Sequence, residues 1–197
     1  LAASQLQRFK SAGIELTVSI DKVAASGGYM MACVADHIIA APFAIVGSIG
    51  VIAQIPNFNK ILKKNDVDFE QITAGEFKRT LTLFGENTDK AREKFREEIE
   101  QTHVLFKTFV STQRPSLNMD LVATGEHWFA TQAIEKGLVD TIKTSDDALL
   151  EQQHQHQIYK VQYKIKKGLS DKLAIGLSHG VNKAGVSLMS KFKALNP

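Results

Sequence analysis

The chain has 197 residues, of which 44% are hydrophobic, a share typical of a globular domain. No stretch approaches the ~20 consecutive apolar residues of a membrane span. The lone cysteine, Cys33, excludes a disulfide framework within the chain and a multi-cysteine metal site, and its apolar surroundings predict a buried structural thiol.

Charge is divided unequally along the chain. Residues 1–150 carry 16 basic and 19 acidic side chains, whereas residues 151–197 carry 8 lysines and 2 acidic side chains. This asymmetry predicts a body over 1–150 and a basic C-terminal extension over 151–197 that meets a surface or a partner. The extension either lies on an anionic membrane surface or packs on a neighbouring protomer.

Helix-like and strand-like segments alternate in the first part of the chain. Helices are predicted over 1–12, closed by Gly13, and over 29–35, and strands over 16–20, 38–41 and 51–55. This alternation predicts an α/β fold with a mainly parallel sheet. Because a helix that feeds a strand usually follows an earlier strand, we expect the chain to start mid-domain, lacking the first N-terminal elements.

The remaining part of the chain predicts further elements by their periodicity. In chain order they are a short helix over 57–64, a strand over 67–73, an ordered loop over 74–88, a long helix over 89–112 with Thr88 as its N-cap, a short helix over 128–136 closed by Gly137, a polar linker over 151–157, a C-terminal strand over 159–165 and an amphipathic helix over 169–195.

Ser26 stands between a strand-like run and a helix-like run and is followed by Gly27 and Gly28. Such a corner suits a nucleophile, because glycines permit a sharp turn and the Gly27 N–H can face a developing oxyanion at a helix start. Ala24 replaces the first glycine of the Gly-x-Ser-x-Gly pattern. The alternative is a helix-start serine that makes an N-cap hydrogen bond.

A nucleophilic serine needs a base. None of the six histidines lies in a motif that marks a catalytic histidine, and His103, on the long helix, is interpreted as structural. Lysine is the other option, provided that it is held neutral by partial burial and neutral hydrogen-bond partners. Lys78 lies in a loop segment with glycine and phenylalanine neighbours and is one candidate; an ordinary surface lysine is the alternative.

Three segments, in this order and spacing, resemble the signal peptide peptidase A / SohB family of serine peptidases. They are Ala25-Ser26-Gly27-Gly28-Tyr29, Val46-Gly47-Ser48-Ile49-Gly50-Val51 and Gly75-Glu76-Phe77-Lys78-Arg79. The match covers residues 1–150, and the basic tail is similar to that of the SohB branch. The resemblance implies a ClpP/crotonase-like fold with a peptidase domain over 1–150.

The resemblance also implies a role for each site residue. Ser26 would be the nucleophile and Lys78 the general base, while Ser48 would hydrogen-bond the lysine amine. The Gly27 N–H would supply half of the oxyanion hole; in the family, the other half comes from a Pro-Gly-Gly loop upstream of the helix with which this chain begins. No cofactor or metal is implied.

The implied protein is a serine endopeptidase that acts on signal peptides or other short apolar peptides. It would work at the periplasmic face of the bacterial inner membrane, anchored by a segment upstream of this chain. Family members assemble the site from neighbouring protomers or repeats. The single serine motif and single lysine motif therefore predict a ring-like homo-oligomer in which Ser26 meets Lys78 of an adjacent subunit, with no nucleic-acid partner.

Two alternatives to this peptidase stay open. One is a crotonase-fold acyl-CoA enzyme, which would use backbone N–H groups on a thioester and a glutamate base. The other is a non-catalytic, membrane-associated assembly protein whose working part is the basic C-terminal helix.

Overall fold

The computed structural model describes residues 1–163, and every assigned helix and strand lies in the compact unit Leu1–His156. The elements are α1 (Ala2–Ser11), β1 (Thr17–Ile20), β2 (Val23–Ala25), α2 (Gly27–Ala32), β3 (His37–Ala40), β4 (Ile45–Gly47), α3 (Asn59–Lys64), α4 (Asp89–Gln113), α5 (Met119–Val122), β5 (His127–Phe129), α6 (Ala130–Ala133), β6 (Thr141–Ile142) and α7 (Ser145–Gln152).

The strands form two three-stranded sheets, ordered β1-β3-β6 and β2-β4-β5. The pairs β1–β3, β3–β6 and β2–β4 are parallel, and β4–β5 is antiparallel. The predicted α/β class with a mainly parallel sheet is confirmed. Parallel pairing matters for the site, because β2 and β4 end at the same edge, where β2 turns into α2 and β4 leads into a loop.

The hydrophobic core joins α2, β3, β4 and α4. Tyr29, Ile38 and Ile49 are fully buried, and Phe106 and Val110 bring α4 against them. The Tyr29 hydroxyl donates to the Leu138 carbonyl at 2.9 Å, which satisfies the polar atom of the largest core side chain.

Cys33 is a buried core residue, as predicted. Burial raises the pKa of its thiol to about 12. Because the thiolate is the nucleophilic form of cysteine, Cys33 is not a candidate nucleophile at neutral pH.

Most of the predicted helices are confirmed. The helices over 1–12, 57–64 and 89–112 appear as α1, α3 and α4, and the Thr88 hydroxyl accepts from the Ala91 N–H at 3.2 Å as an N-cap. Gly13 follows α1 at φ 70°, the left-handed conformation expected of a closing glycine. The segment 128–136 differs, because β5 and the four-residue α6 divide it.

Two predicted strands are wrong, and the strand predicted over 159–165 is absent from its described part, 159–163. The strand expected over 51–55 is replaced by β4, which ends at Gly47, because Gly47 and Ser48 both take positive φ and turn the chain off the sheet. The segments 67–73 and 159–163 carry no strand, and Ile72 and Val161 are more than nine-tenths exposed. Strand-forming residues need a partner edge, and these segments have none in the described part of the chain. The helix predicted over 169–195 lies outside the described residues.

An ion pair between Arg114 and Asp140 fastens the end of α4 to the start of β6. The guanidinium donates to both carboxylate oxygens at 2.8 and 2.5 Å and to the Gly137 carbonyl at 2.9 Å. Asp140 also accepts from the Ile38 N–H at 2.7 Å. Burial raises the pKa of the Asp140 carboxyl, but these hydrogen bonds outweigh burial and hold the pKa below its ordinary value.

Replacing Asp140 with asparagine is therefore expected to lower the free energy of unfolding by about 2–3 kcal/mol at pH 7, because Arg114 loses its charged partner. The folded-state pKa of Asp140 is lowered, so its contribution is present above the unfolded-state pKa of about 3.9 and is lost as pH falls through the folded value. Urea unfolding from pH 7 to pH 3 tests this. The difference in free energy of unfolding between wild type and Asp140→Asn should become smaller below pH 4. The control Asp68→Asn, at an exposed position, should unfold like wild type. A difference for Asp140→Asn that stays constant with pH would contradict the assignment.

Candidate active site

Two serines lie side by side where β2 and β4 end. Ala25 pairs with Gly47 at the last step of the parallel register, and Ser26 and Ser48 follow directly. The Ser26 N–H donates to the Gly47 carbonyl at 2.8 Å. Because neighbouring strands lie about 4.8 Å apart, the backbones of the two serines are adjacent.

The backbone of Ser26 forms a sharp strand-to-helix turn. Its φ of 52° and ψ of −119° are rare for a residue with a side chain, and its carbonyl accepts from the Met30 N–H at 2.9 Å at the start of α2. This is the local geometry of a nucleophile elbow. Ser26 is exposed, and its side chain makes no capping hydrogen bond to α2, so the alternative interpretation as an ordinary N-cap is wrong.

The loop after β4 holds Ser48 in a similarly unusual conformation, with φ 52° following φ 100° at Gly47. A Cβ at Gly47 would lie 3.0 Å from the Trp128 ring, so a side chain there would crowd the ring as well as strain the backbone. The Ser48 N–H donates to the Glu126 carbonyl at 2.6 Å. The loop is therefore held against the chain around β5.

Ser26, Gly27 and Ser48 line one cavity of about 1010 Å³. The apolar part of its wall consists of Met30, Val51, Ile52, Leu105, Phe106 and Phe109. Thr102, His103 and Thr124 add polar groups. A wall of this composition suits an apolar chain with a polar reacting group.

Lys78 is not among the residues that line this cavity. It is exposed and follows a turn in which its N–H donates to the Gly75 carbonyl at 3.2 Å, with Gly75 at φ 96°. The structure thus brings Ser26, Gly27 and Ser48 together and leaves Lys78 of the same chain outside the group.

The loop that carries Lys78 contacts the segments on either side of α3. Asn57 Nδ2 donates to the Thr82 carbonyl at 2.8 Å and to the Gly85 carbonyl at 3.0 Å. The Phe84 ring contacts the rings of Phe58 and Phe69, at centroid distances of 6.0 and 5.7 Å. The loop over 74–88 is therefore tied to the N-terminal end of α3.

His103 is a cavity residue whose contact the sequence interpretation did not identify. Its Nε2 lies 3.2 Å from the Ile49 carbonyl oxygen, one residue after Ser48. The available signal was its place on the apolar stripe of α4, four residues after Ile99 and three before Phe106. A polar side chain on such a stripe needs a partner inside the fold.

Residues 1–163 offer neither a cluster of metal-ligating side chains nor a membrane-spanning helix. This part of the chain holds no group of three or more His, Cys, Asp or Glu side chains arranged to bind a metal ion. It also contains no helix with the length and apolarity to cross a membrane.

Two glycines near the cavity should respond differently to an added methyl group. A Cβ at Gly27 meets nothing within 4 Å, whereas a Cβ at Gly50 would lie 2.8 Å from the Gly125 Cα. Gly27→Ala should therefore keep the free energy of unfolding within about 0.5 kcal/mol, and Gly50→Ala should lower it by about 1–3 kcal/mol. Urea unfolding of both variants tests this; a Gly27→Ala variant destabilised as much as Gly50→Ala would contradict it.

Comparison with known proteins gives matches along most of the chain. The model of peptidase family S49 matches residues 8–159. "Probable protease SohB" of Haemophilus influenzae is 62% identical over 171 residues, which cover 87% of this chain and 48% of that protein. "Probable protease SohB" of Buchnera aphidicola subsp. Schlechtendalia chinensis is 67% identical over 150 residues, covering 76% and 49%. "Protease 4" of H. influenzae is 31% identical over 147 residues, covering 74% and 24%.

The chain spans about half the length of the SohB relatives that it matches. Among solved structures, an enoyl-CoA hydratase/isomerase from Marinobacter aquaeolei has a TM-score of 0.43 at 15% identity, over 96% of this chain and 63% of that chain. At this TM-score the structural likeness bears on neither activity nor substrate.

Proposed function

The chain belongs to peptidase family S49, and on that premise we propose that it supplies the nucleophile and the base of a serine endopeptidase with a Ser26 and Lys78 dyad. One observation carries the proposal. Ser26 stands exposed on a strained strand-to-helix turn, facing a cavity that Ser48 also lines. Backbone strain of this kind is typical of functional sites.

The dyad accounts for both proton transfers of peptide hydrolysis. The neutral amine of Lys78 takes the Ser26 proton as Oγ attacks the peptide carbonyl, and the resulting ammonium protonates the leaving amine. A water molecule then attacks the acyl-enzyme, the lysine takes its proton, and the Ser26 hydroxyl is restored. The Gly27 N–H opens α2, where helix N–H groups have no acceptor within the helix, and it stabilises the oxyanion.

The position of Lys78 supports a site shared between subunits. Lys78 lies outside the cavity of its own chain on an exposed, ordered loop. We therefore propose a ring-like homo-oligomer in which this loop brings Lys78 to Ser26 of an adjacent subunit, where the Ser48 hydroxyl receives the amine. A monomer mass for the active protein in solution would contradict this arrangement.

The apolar cavity wall favours short apolar peptides as substrates, such as signal peptides or fragments of membrane proteins. We place this activity at the periplasmic face of the bacterial inner membrane, with anchoring by an upstream segment. The basic extension over 151–197 would contact either the anionic membrane surface or a neighbouring protomer.

A pair of substrates distinguishes the peptidase from the acyl-CoA alternative. The described residues that line the cavity include no glutamate, the base that an acyl-CoA enzyme of this kind would use. We expect the protein to release new amino termini from an apolar peptide and to leave an acyl-CoA thioester intact. Turnover of the thioester without peptide cleavage would overturn the proposal, and so would peptide cleavage that survives in Ser26→Ala.

A further inference from the structure

His103 is the polar member of an otherwise apolar face of α4. Ile99, His103, Phe106 and Val110 follow one another at spacings of four, three and four residues, which places them on one side of the helix. Phe106 and Val110 are buried in the core, whereas His103 is half-buried and lines the cavity. It therefore lies where this face of α4 passes from the core to the cavity.

The His103 ring is tied to the loop that carries Ser48. Nε2 lies 3.2 Å from the carbonyl oxygen of Ile49, and a carbonyl oxygen can only accept, so Nε2 is the donor. Ile49 is fully buried, and its carbonyl needs a partner there. The imidazole thus links α4 to the residue directly after Ser48.

The loop needs such support because its backbone is strained. Ser48 has φ 52°, and the Gly50 N–H turns back to the Ser48 carbonyl at 3.0 Å. Positive-φ conformations of residues with side chains persist only when their surroundings hold them. From the side of β5, the Glu126 carbonyl and the Gly125 backbone provide this support. From the side of α4, the side-chain hydrogen bond that the described structure provides is the one from His103.

We propose that His103 is a positioning residue of the active site. By holding the Ile49 carbonyl, it fixes the backbone direction of Ser48, and hence the direction of the hydroxyl that receives the lysine amine. This inference rests on the proposed function, since it gives Ser48 its role beside Ser26. It assigns no proton transfer to the imidazole.

Two substitutions separate the hydrogen bond from the bulk of the ring. His103→Leu removes the donor, and His103→Gln keeps a nitrogen donor at a similar reach. We expect His103→Leu to lower kcat by about 10- to 100-fold with KM within about twofold of wild type, because misplacing a catalytic group affects the chemical step. His103→Gln should recover most of the lost kcat. Gln101→Leu, which removes an exposed polar side chain from the same helix, is the matched control and should behave as wild type.

Counting the labelled active sites separates a loss of folded protein from a loss of kcat. The end point of fluorophosphonate labelling gives the number of folded sites, so kcat is expressed per labelled site. If His103→Leu does not fold, His103→Asn replaces it, since its shorter side chain keeps a donor that cannot reach Ile49. A wild-type kcat in the folded donor-loss variant, or a His103→Gln variant no faster than it, overturns the positioning role. Peptide turnover retained in Ser26→Ala would instead overturn the proposed function.

Discussion

Replacing Ser26 with alanine is expected to abolish peptide hydrolysis, with a fall in kcat of about 10⁴-fold or more, because no acyl-enzyme can form. Other serines do not compensate, since the strained turn at 26 is what presents the hydroxyl to the cavity. The measurement is steady-state cleavage of a fluorogenic apolar peptide by purified protein.

The matched control is Ser19→Ala, which removes an exposed hydroxyl from β1. It should retain wild-type kcat. Ser26→Ala should also unfold at the same urea concentration as wild type, because the backbone strain at this φ is similar for alanine and serine. A folded Ser26→Ala protein that cleaves the peptide within tenfold of wild type would refute Ser26 as the nucleophile.

Replacing Lys78 with alanine should lower kcat by about 10³-fold or more, because the Ser26 hydroxyl then has no base and the leaving amine no proton donor. Lys78 is exposed, so the variant should fold normally. Lys60→Ala, which removes an exposed lysine from α3, is the control and should keep full activity. Equal activity of the two variants would show that Lys78 is an ordinary surface lysine.

Mixing the two inactive proteins tests whether the site is shared between subunits. A Lys78→Ala subunit still carries Ser26, and a Ser26→Ala subunit still carries Lys78. After subunit exchange in an equal mixture, about one quarter of the interfaces in a ring would combine the two intact residues, and activity should recover accordingly. If exchange is shown by native mass spectrometry and no activity returns, the dyad does not form between chains.

The corner at Ser26 could be predicted because its cause is local. The strand predicted over 16–20 and the helix predicted over 29–35 correspond to β1 and α2, although α2 starts at Gly27 and ends at Ala32. The strand that leads directly into Ser26, β2, was not predicted. The strain could not be predicted, since the φ of 52° at Ser26 depends on pairing with Gly47, twenty-one positions away in the chain. The strand predicted over 51–55 was wrong for a similar reason. Contacts with residues around β5, far away in the chain, fix the turn after β4.

The role of His103 also depends on a long-range contact that the sequence did not predict. The sequence analysis interpreted His103 as structural, but its partner is a backbone carbonyl, which a pattern of side chains does not identify. The Arg114 and Asp140 pair was likewise hidden, because its two residues come from separate elements. Local sequence patterns therefore predicted several helices and strands and the turn at Ser26. The contacts that hold the site join residues far apart in the chain and are seen only in the structure.

Mapping the adduct of a fluorophosphonate probe tests the central claim most directly. The probe reacts with serines activated for nucleophilic attack, and mass spectrometry of the digested protein identifies the modified residue. We predict one adduct, on Ser26, that forms in wild type, is absent in Ser26→Ala and forms at least tenfold more slowly in Lys78→Ala. An adduct on a different residue, or labelling of Ser26→Ala at the wild-type rate, would contradict the assignment of Ser26 as the nucleophile.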